Sequence, residues 1–147
     1  MKPVMDLSYS ILLPPTALAF LTAVVWVRLY VDRIGELRSR RIHPQQLATQ
    51  QQVAQTLQNV QSADHFRNLF EVPVLFYTLC AFVAITGLTS ALLLACAWGY
   101  VVLRALHACI HLTHNNVIRR FQAYVASTLV LYVMWVIFAV QLILGRD

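Results

Sequence analysis

Three long stretches of the chain carry no charged residue: 7–27 (21 residues), 72–103 (32 residues) and 121–145 (25 residues). A helix rising 1.5 Å per residue crosses a hydrocarbon core of about 30 Å in about 20 residues. The outer two stretches therefore each predict one membrane-spanning helix. As a single helix the middle stretch would run to roughly 48 Å, and Thr86-Gly87-Leu88-Thr89-Ser90 interrupts it near its centre. It predicts two spans joined by a turn. Two full spans need about 40 residues, so each must draw in flanking polar groups, Glu71 on one side and Arg104 on the other. The pattern thus predicts an all-α integral membrane four-helix bundle in a single domain, residues 1–147. Its spans fall at about 8–31, 66–87, 91–112 and 121–144, with a long connection at 32–65.

Composition agrees: 59% of the residues are hydrophobic and 12% charged, unlike a soluble domain. The net charge of +5 is uneven. Arg33, Arg38, Arg40, Arg41 and Arg67 sit in or beside the first connection, and Arg119 and Arg120 in the third. In a four-span chain these two connections share a side. The other side carries Lys2 and Arg146, balanced by Asp6 and Asp147. The positive-inside rule then places the arginines in the cytoplasm and both termini outside. Nucleic-acid binding does not explain this charge, because the arginines bracket membrane helices. The basic run at 28–41 reads as a helical continuation of the first span that touches anionic lipid. Pro14-Pro15 predicts a kink in that span, and the Ala17-x-Ala19 pair is read as part of an uncleaved helix. Cys80, Cys96 and Cys109 lie in predicted spans without C-x-x-C spacing and read as reduced packing residues. The connection holds eight glutamines between His43-Pro44 and Asp64, and Val53, Leu57 and Val60 recur there at helical spacing. They predict a short helix with no site.

The candidate chemistry lies at the open end of the central hairpin. Folding at Gly87/Leu88 sets Glu71 opposite Arg104, Asn68 opposite His107 and Asp64 opposite His111. Arg67, Asn68 and Glu71 enter the second span within five positions, and polar groups there must face protein or water. Tyr100, Arg104, His107 and His111, spaced four, three and four, form one stripe on the third span. The fourth span, whose only ionisable groups are tyrosines, reads as scaffold. Four explanations fit the cluster. Zinc on His107 and His111 would need a third ligand beside a guanidinium, so no metal is assigned. A proton path lacks residues in the other leaflet. A buried Glu71–Arg104 pair joining helices accounts for two of the groups. A small zwitterion with several carboxylates suits the whole set, since guanidinium forks pair with carboxylates and the acid takes an ammonium.

R-N-L-F-E followed by a proline at the second span, and R-A-L-H-A-C-I-H then R-R after the third, resemble the MAPEG family, the membrane-associated proteins of eicosanoid and glutathione metabolism. The likeness is to bacterial-type members similar to microsomal glutathione transferase and prostaglandin E synthase, and implies a multi-pass protein of the bacterial inner membrane. It runs from Gly35-Glu36-Leu37-Arg38-Ser39-Arg40-Arg41 to Arg120. It implies a homotrimer that binds glutathione between subunits near the cytoplasmic face. By that resemblance Arg67, Asn68 and Glu71 match R-N-x-x-E, Arg104 and His107 match R-x-x-H, and His111 stands at a usual tyrosine. Arg38 would reach the neighbouring subunit's site. Arg120 would be the catalytic arginine at the glutathione thiol, with Arg119 one residue away. The chain departs from the pattern at His111, at Asp64 where many members carry arginine, and at Pro73, which stands closer to the acid than in the eicosanoid enzymes.

The implied activity is a glutathione-dependent transferase or peroxidase acting on hydrophobic electrophiles from the bilayer. A cation held near sulfur raises the thiolate fraction. The alternative is a non-catalytic lipid-binding or scaffold protein on the same trimeric fold.

Overall fold

The computed structural model describes residues 7–58, 60–114 and 116–145, so the terminal charges Lys2, Asp6, Arg146 and Asp147 lie outside the described residues. Its regular elements are all helical. A single turn, α1 (Leu7–Ser10), precedes α2 (Leu13–Ser39). The proline pair does not kink a continuous span. It starts α2, in the first turn where a missing N–H costs nothing. At 27 residues α2 is about 40 Å long and outreaches a hydrocarbon core. Its last turns carry the i,i+4 ion pairs Arg28–Asp32 and Arg40–Glu36, and Arg41 ends it with a φ of 51°.

The glutamine-rich connection folds back onto α2. A 3₁₀ turn (Pro44–Leu47) is followed by α3 (Gln50–Thr56), which is started by a capping box between Thr49 and Gln52. Glu36 Oε1 accepts from the Gln58 backbone N–H at 2.7 Å, Arg40 Nη1 donates to the Thr56 carbonyl at 2.8 Å, and Ser62 donates to Asp32. The two acids of α2, one turn apart, thus clasp the end of the connection.

Next come α4 (Gln61–Asn68) and α5 (Val72–Thr86). The break between them has a local cause. Pro73 has no N–H for the Leu69 carbonyl, and Glu71 leaves the helical region with φ −94° and ψ −101°. Gly87, with φ 69°, closes α5 in the left-handed conformation that glycine adopts without strain. The Ser90 hydroxyl accepts from Leu93 N to start α6 (Ala91–Leu112). The Asn116 side chain likewise caps α7 (Val117–Leu144) by accepting from Arg119 N at 3.1 Å.

Residues 61–86, 91–112 and 117–144 are each long and apolar enough to cross a membrane, with mean hydropathies of 2.0, 1.7 and 2.2, and α2 makes the fourth long helix. Large apolar side chains such as Phe20, Ile85, Ile118 and Ile143 point outward, as on a lipid-facing surface. The chain is an integral membrane helix bundle.

Helix α6 runs through its middle and packs on α2, α4 and α7. Leu93, Ala97, Tyr100, Val101, Arg104, His107, Ala108 and His111 are buried along one face. At the hairpin end this face joins Ile11, Leu18, Phe76, Leu79, Val83, Leu131 and Met134 in an apolar core. At the other end the same face is polar. Tyr100 is the border, stacked on Phe76 at 4.3 Å between ring centroids.

Candidate functional site

The polar end is built by α4, α6 and the first turns of α7. Arg104 is fully buried. Its Nη2 donates to the Asn68 carbonyl at 3.0 Å, and its guanidinium lies 5.7 Å from the centre of the Tyr124 ring. Its Nε and Nη1 have no hydrogen-bond partner among the described residues. The ion pairs among those residues are the two on α2, so Arg104 has no carboxylate at contact distance. Glu71 interacts with it electrostatically but stands exposed at the α4–α5 break. The Glu71–Arg104 pair expected from the hairpin register is therefore not made. The break turns the acid outward, and a backbone carbonyl takes its place.

His107 and His111 are buried one turn apart and reach across to α7. His107 Nδ1 is 3.0 Å from the Arg120 carbonyl, and Arg120 Nη1 is 3.1 Å from His111 Nε2. The short turn between the antiparallel helices permits this, since α6 ends at Leu112 and α7 begins at Val117. Arg120 faces the cluster, whereas Arg119, one residue earlier, is exposed.

His65 belongs to the same group. It is fully buried on α4, with ring centroids 5.2 Å from His107 and 5.0 Å from His111. Both its ring nitrogens lack partners among the described residues, as do His107 Nε2, His111 Nδ1 and the Tyr100 hydroxyl. So many unsatisfied donors and acceptors in one buried region are unusual, because each costs about 1–3 kcal/mol. No cluster of His, Cys, Asp or Glu among the described residues has the arrangement of a metal site.

Beside this group opens a cavity of about 240 Å³ lined by Asn68, His107, Val117, Arg120, Phe121 and Tyr124. Tyr124 on the scaffold helix is thus part of the site, and its ring centroid lies 5.9 Å from that of His107. Both newly found residues follow helical spacing: His65 stands three before Asn68, and Tyr124 four after Arg120.

The structure brings Asn68, Arg104, His107, His111 and Arg120 together. Three other expected residues lie elsewhere. Arg67 is exposed, and its Nη2 donates to Gln50 Oε1 at 2.7 Å, drawn there by the returning connection. Glu71 is exposed at the break. Arg38 lies on α2, lining a groove of about 510 Å³ with Trp26, Val27, Tyr30, Val31, Ile34 and Gly35.

No curated protein and no solved structure matches the chain. A model of the MAPEG family matches residues 11–140, from α1–α2 to the last turns of α7 and across every element of the polar cluster. With an all-helical membrane bundle and a match over most of its length, the chain belongs to the MAPEG family.

Proposed function

We propose that the chain binds glutathione at the polar end of the bundle and transfers it to, or uses it to reduce, hydrophobic electrophiles held in the bilayer. Family membership supports glutathione as the cofactor. The observation that carries the reading is Arg104, a buried guanidinium whose Nε and Nη1 have no hydrogen-bond partner and which has no carboxylate at contact distance among the described residues. An unpaired buried charge is costly. An anionic ligand such as the tripeptide, with two carboxylates, compensates it through fork-shaped hydrogen bonds.

Asn68, Arg104 and His107 hold the ligand from this chain. A neighbouring copy in a homotrimer brings Arg38 and buries the groove beside it, and Arg67 and Glu71 face that boundary. Arg120, at the mouth of the cavity, is the cation for the sulfur. The thiol proton leaves to water, the thiolate attacks the electrophilic carbon, and the leaving group departs with its electron pair. Each unit by which the cation lowers the thiol pKa is worth about 1.4 kcal/mol. Holding thiolate and electrophile together supplies the larger share. The electrophile enters from the lipid, past the outward apolar faces of α2 and α7. The site faces the cytoplasm of a bacterial inner membrane, with both termini outside.

The test is turnover of a chromogenic aryl halide by the detergent-solubilised protein with glutathione. Arg120→Ala is expected to lower turnover about 10- to 100-fold, one to two units of thiol pKa, while glutathione still binds. Arg119→Ala retains turnover. Glutathione bound with no reaction towards aryl halides or hydroperoxides would instead establish a lipid-binding or scaffold role.

A further inference from the structure

The bonds around His107 and His111 fix which ring nitrogens carry protons. A carbonyl oxygen only accepts, so His107 Nδ1, 3.0 Å from the Arg120 carbonyl, must be the N–H. A guanidinium only donates, so His111 Nε2, 3.1 Å from Arg120 Nη1, must be a bare lone pair and its proton must sit on Nδ1. Neighbouring histidines thus act in opposite senses on one arginine: one fixes its backbone and the other its side chain. The Nε2 lone pair of His111 is already taken by Arg120 Nη1, so in this chain it faces Arg120 rather than the ligand. The rings of His65 and His107 hold it in place at centroid distances of 5.0 and 5.8 Å.

From this geometry we infer that His111 is a positioning residue, whose Nε2 lone pair aims the Arg120 guanidinium at the mouth of the cavity and so at the glutathione sulfur. The reaction part of this inference rests on the function proposed above. The bond exists only while His111 is neutral, since an imidazolium has no lone pair to offer. The groups facing His111 are His65 and Asp64 from α4, His107 from its own helix, and Arg120 from α7.

Two measurements test it. Nitrogen-15 NMR of selectively labelled histidine, assigned by a His111→Gln control, reads the tautomer without glutathione. A protonated Nδ1 and an unprotonated Nε2 are expected, and a protonated Nε2 at neutral pH would overturn the inference. Kinetics then compare His111→Leu, which removes the acceptor, with His111→Gln, whose amide oxygen restores one near the Nε2 position. His111→Leu is expected to keep glutathione affinity within about threefold while turnover falls about tenfold and the bound thiol, followed by its ultraviolet absorbance, titrates at higher pH. His111→Gln is expected to recover most of both. Equal impairment of the two variants, with the thiol titration unmoved, would overturn the inference. A native chain that binds no glutathione would sink the functional reading, and the nitrogen shifts would still decide for or against the Arg120–His111 bond.

Discussion

Replacing Arg104 by methionine, an apolar side chain of similar reach, separates the cost of this residue to the fold from its use to the ligand. In the free protein the substitution removes one hydrogen bond to Asn68 O at 3.0 Å, worth about 1.5–3 kcal/mol for a charged donor. It also removes a contact with Tyr124 worth about 0.5–2 kcal/mol. Against these stands the relief of a fully buried guanidinium whose Nε and Nη1 have no partner among the described residues, a penalty of several kcal/mol. The opposing terms are of one size, so the free variant is expected to match the native protein within about 1 kcal/mol or to exceed it. Binding should respond very differently. Loss of a desolvated guanidinium–carboxylate pair costs about 2–5 kcal/mol, or about 30-fold to several thousandfold in affinity. Calorimetry measures that affinity in detergent, and thermal unfolding provides a second readout. Glutathione at 100 times its native dissociation constant should stabilise the native protein by about 2.7 kcal/mol and the variant by less than about 1 kcal/mol. A variant that loses about 3 kcal/mol of stability yet keeps native affinity would show that Arg104 serves the bundle and not a ligand.

Two further substitutions probe the scaffold. Gly87→Ala meets no atom within 4 Å but must hold φ at 69°. It is expected to cost about 1–2 kcal/mol in unfolding experiments, and no loss would mean that the turn can adopt another conformation. Tyr100→Phe removes a buried hydroxyl with no partner among the described residues and keeps the ring stacked on Phe76. Stability should hold or rise by about 1 kcal/mol, and a clear fall would show that the hydroxyl has a partner in the working protein.

The apolar framework was legible because lipid demands long uninterrupted runs, and the turn at Gly87 could be placed because few other residues suit that backbone. The stripe of Arg104, His107 and His111 followed from spacing alone. The opposing wall was harder to read, for reasons that spacing does not encode. Counting outward from Gly87 assumes an unbroken helix, and Pro73 breaks it, so Glu71 turns outward while Asn68 meets Arg104 through its backbone. Arg67 is captured by Gln50, a contact made only when a connection of weak hydrophobic pattern folds back. His65 precedes the R-N-x-x-E match, and Tyr124 lies on the span read as scaffold. Each becomes part of the site only because α4 and α7 close over the polar end of α6.

The clasp formed by Asp32 and Glu36 makes the first long helix a lever. Asp32 holds Ser62, three positions from His65, while Arg38 rides on the outer side of the same helix. A displacement of α2 would therefore pull through Ser62 on α4, the helix that bears His65. The position of α2 and that of the helix bearing His65 are thus set together.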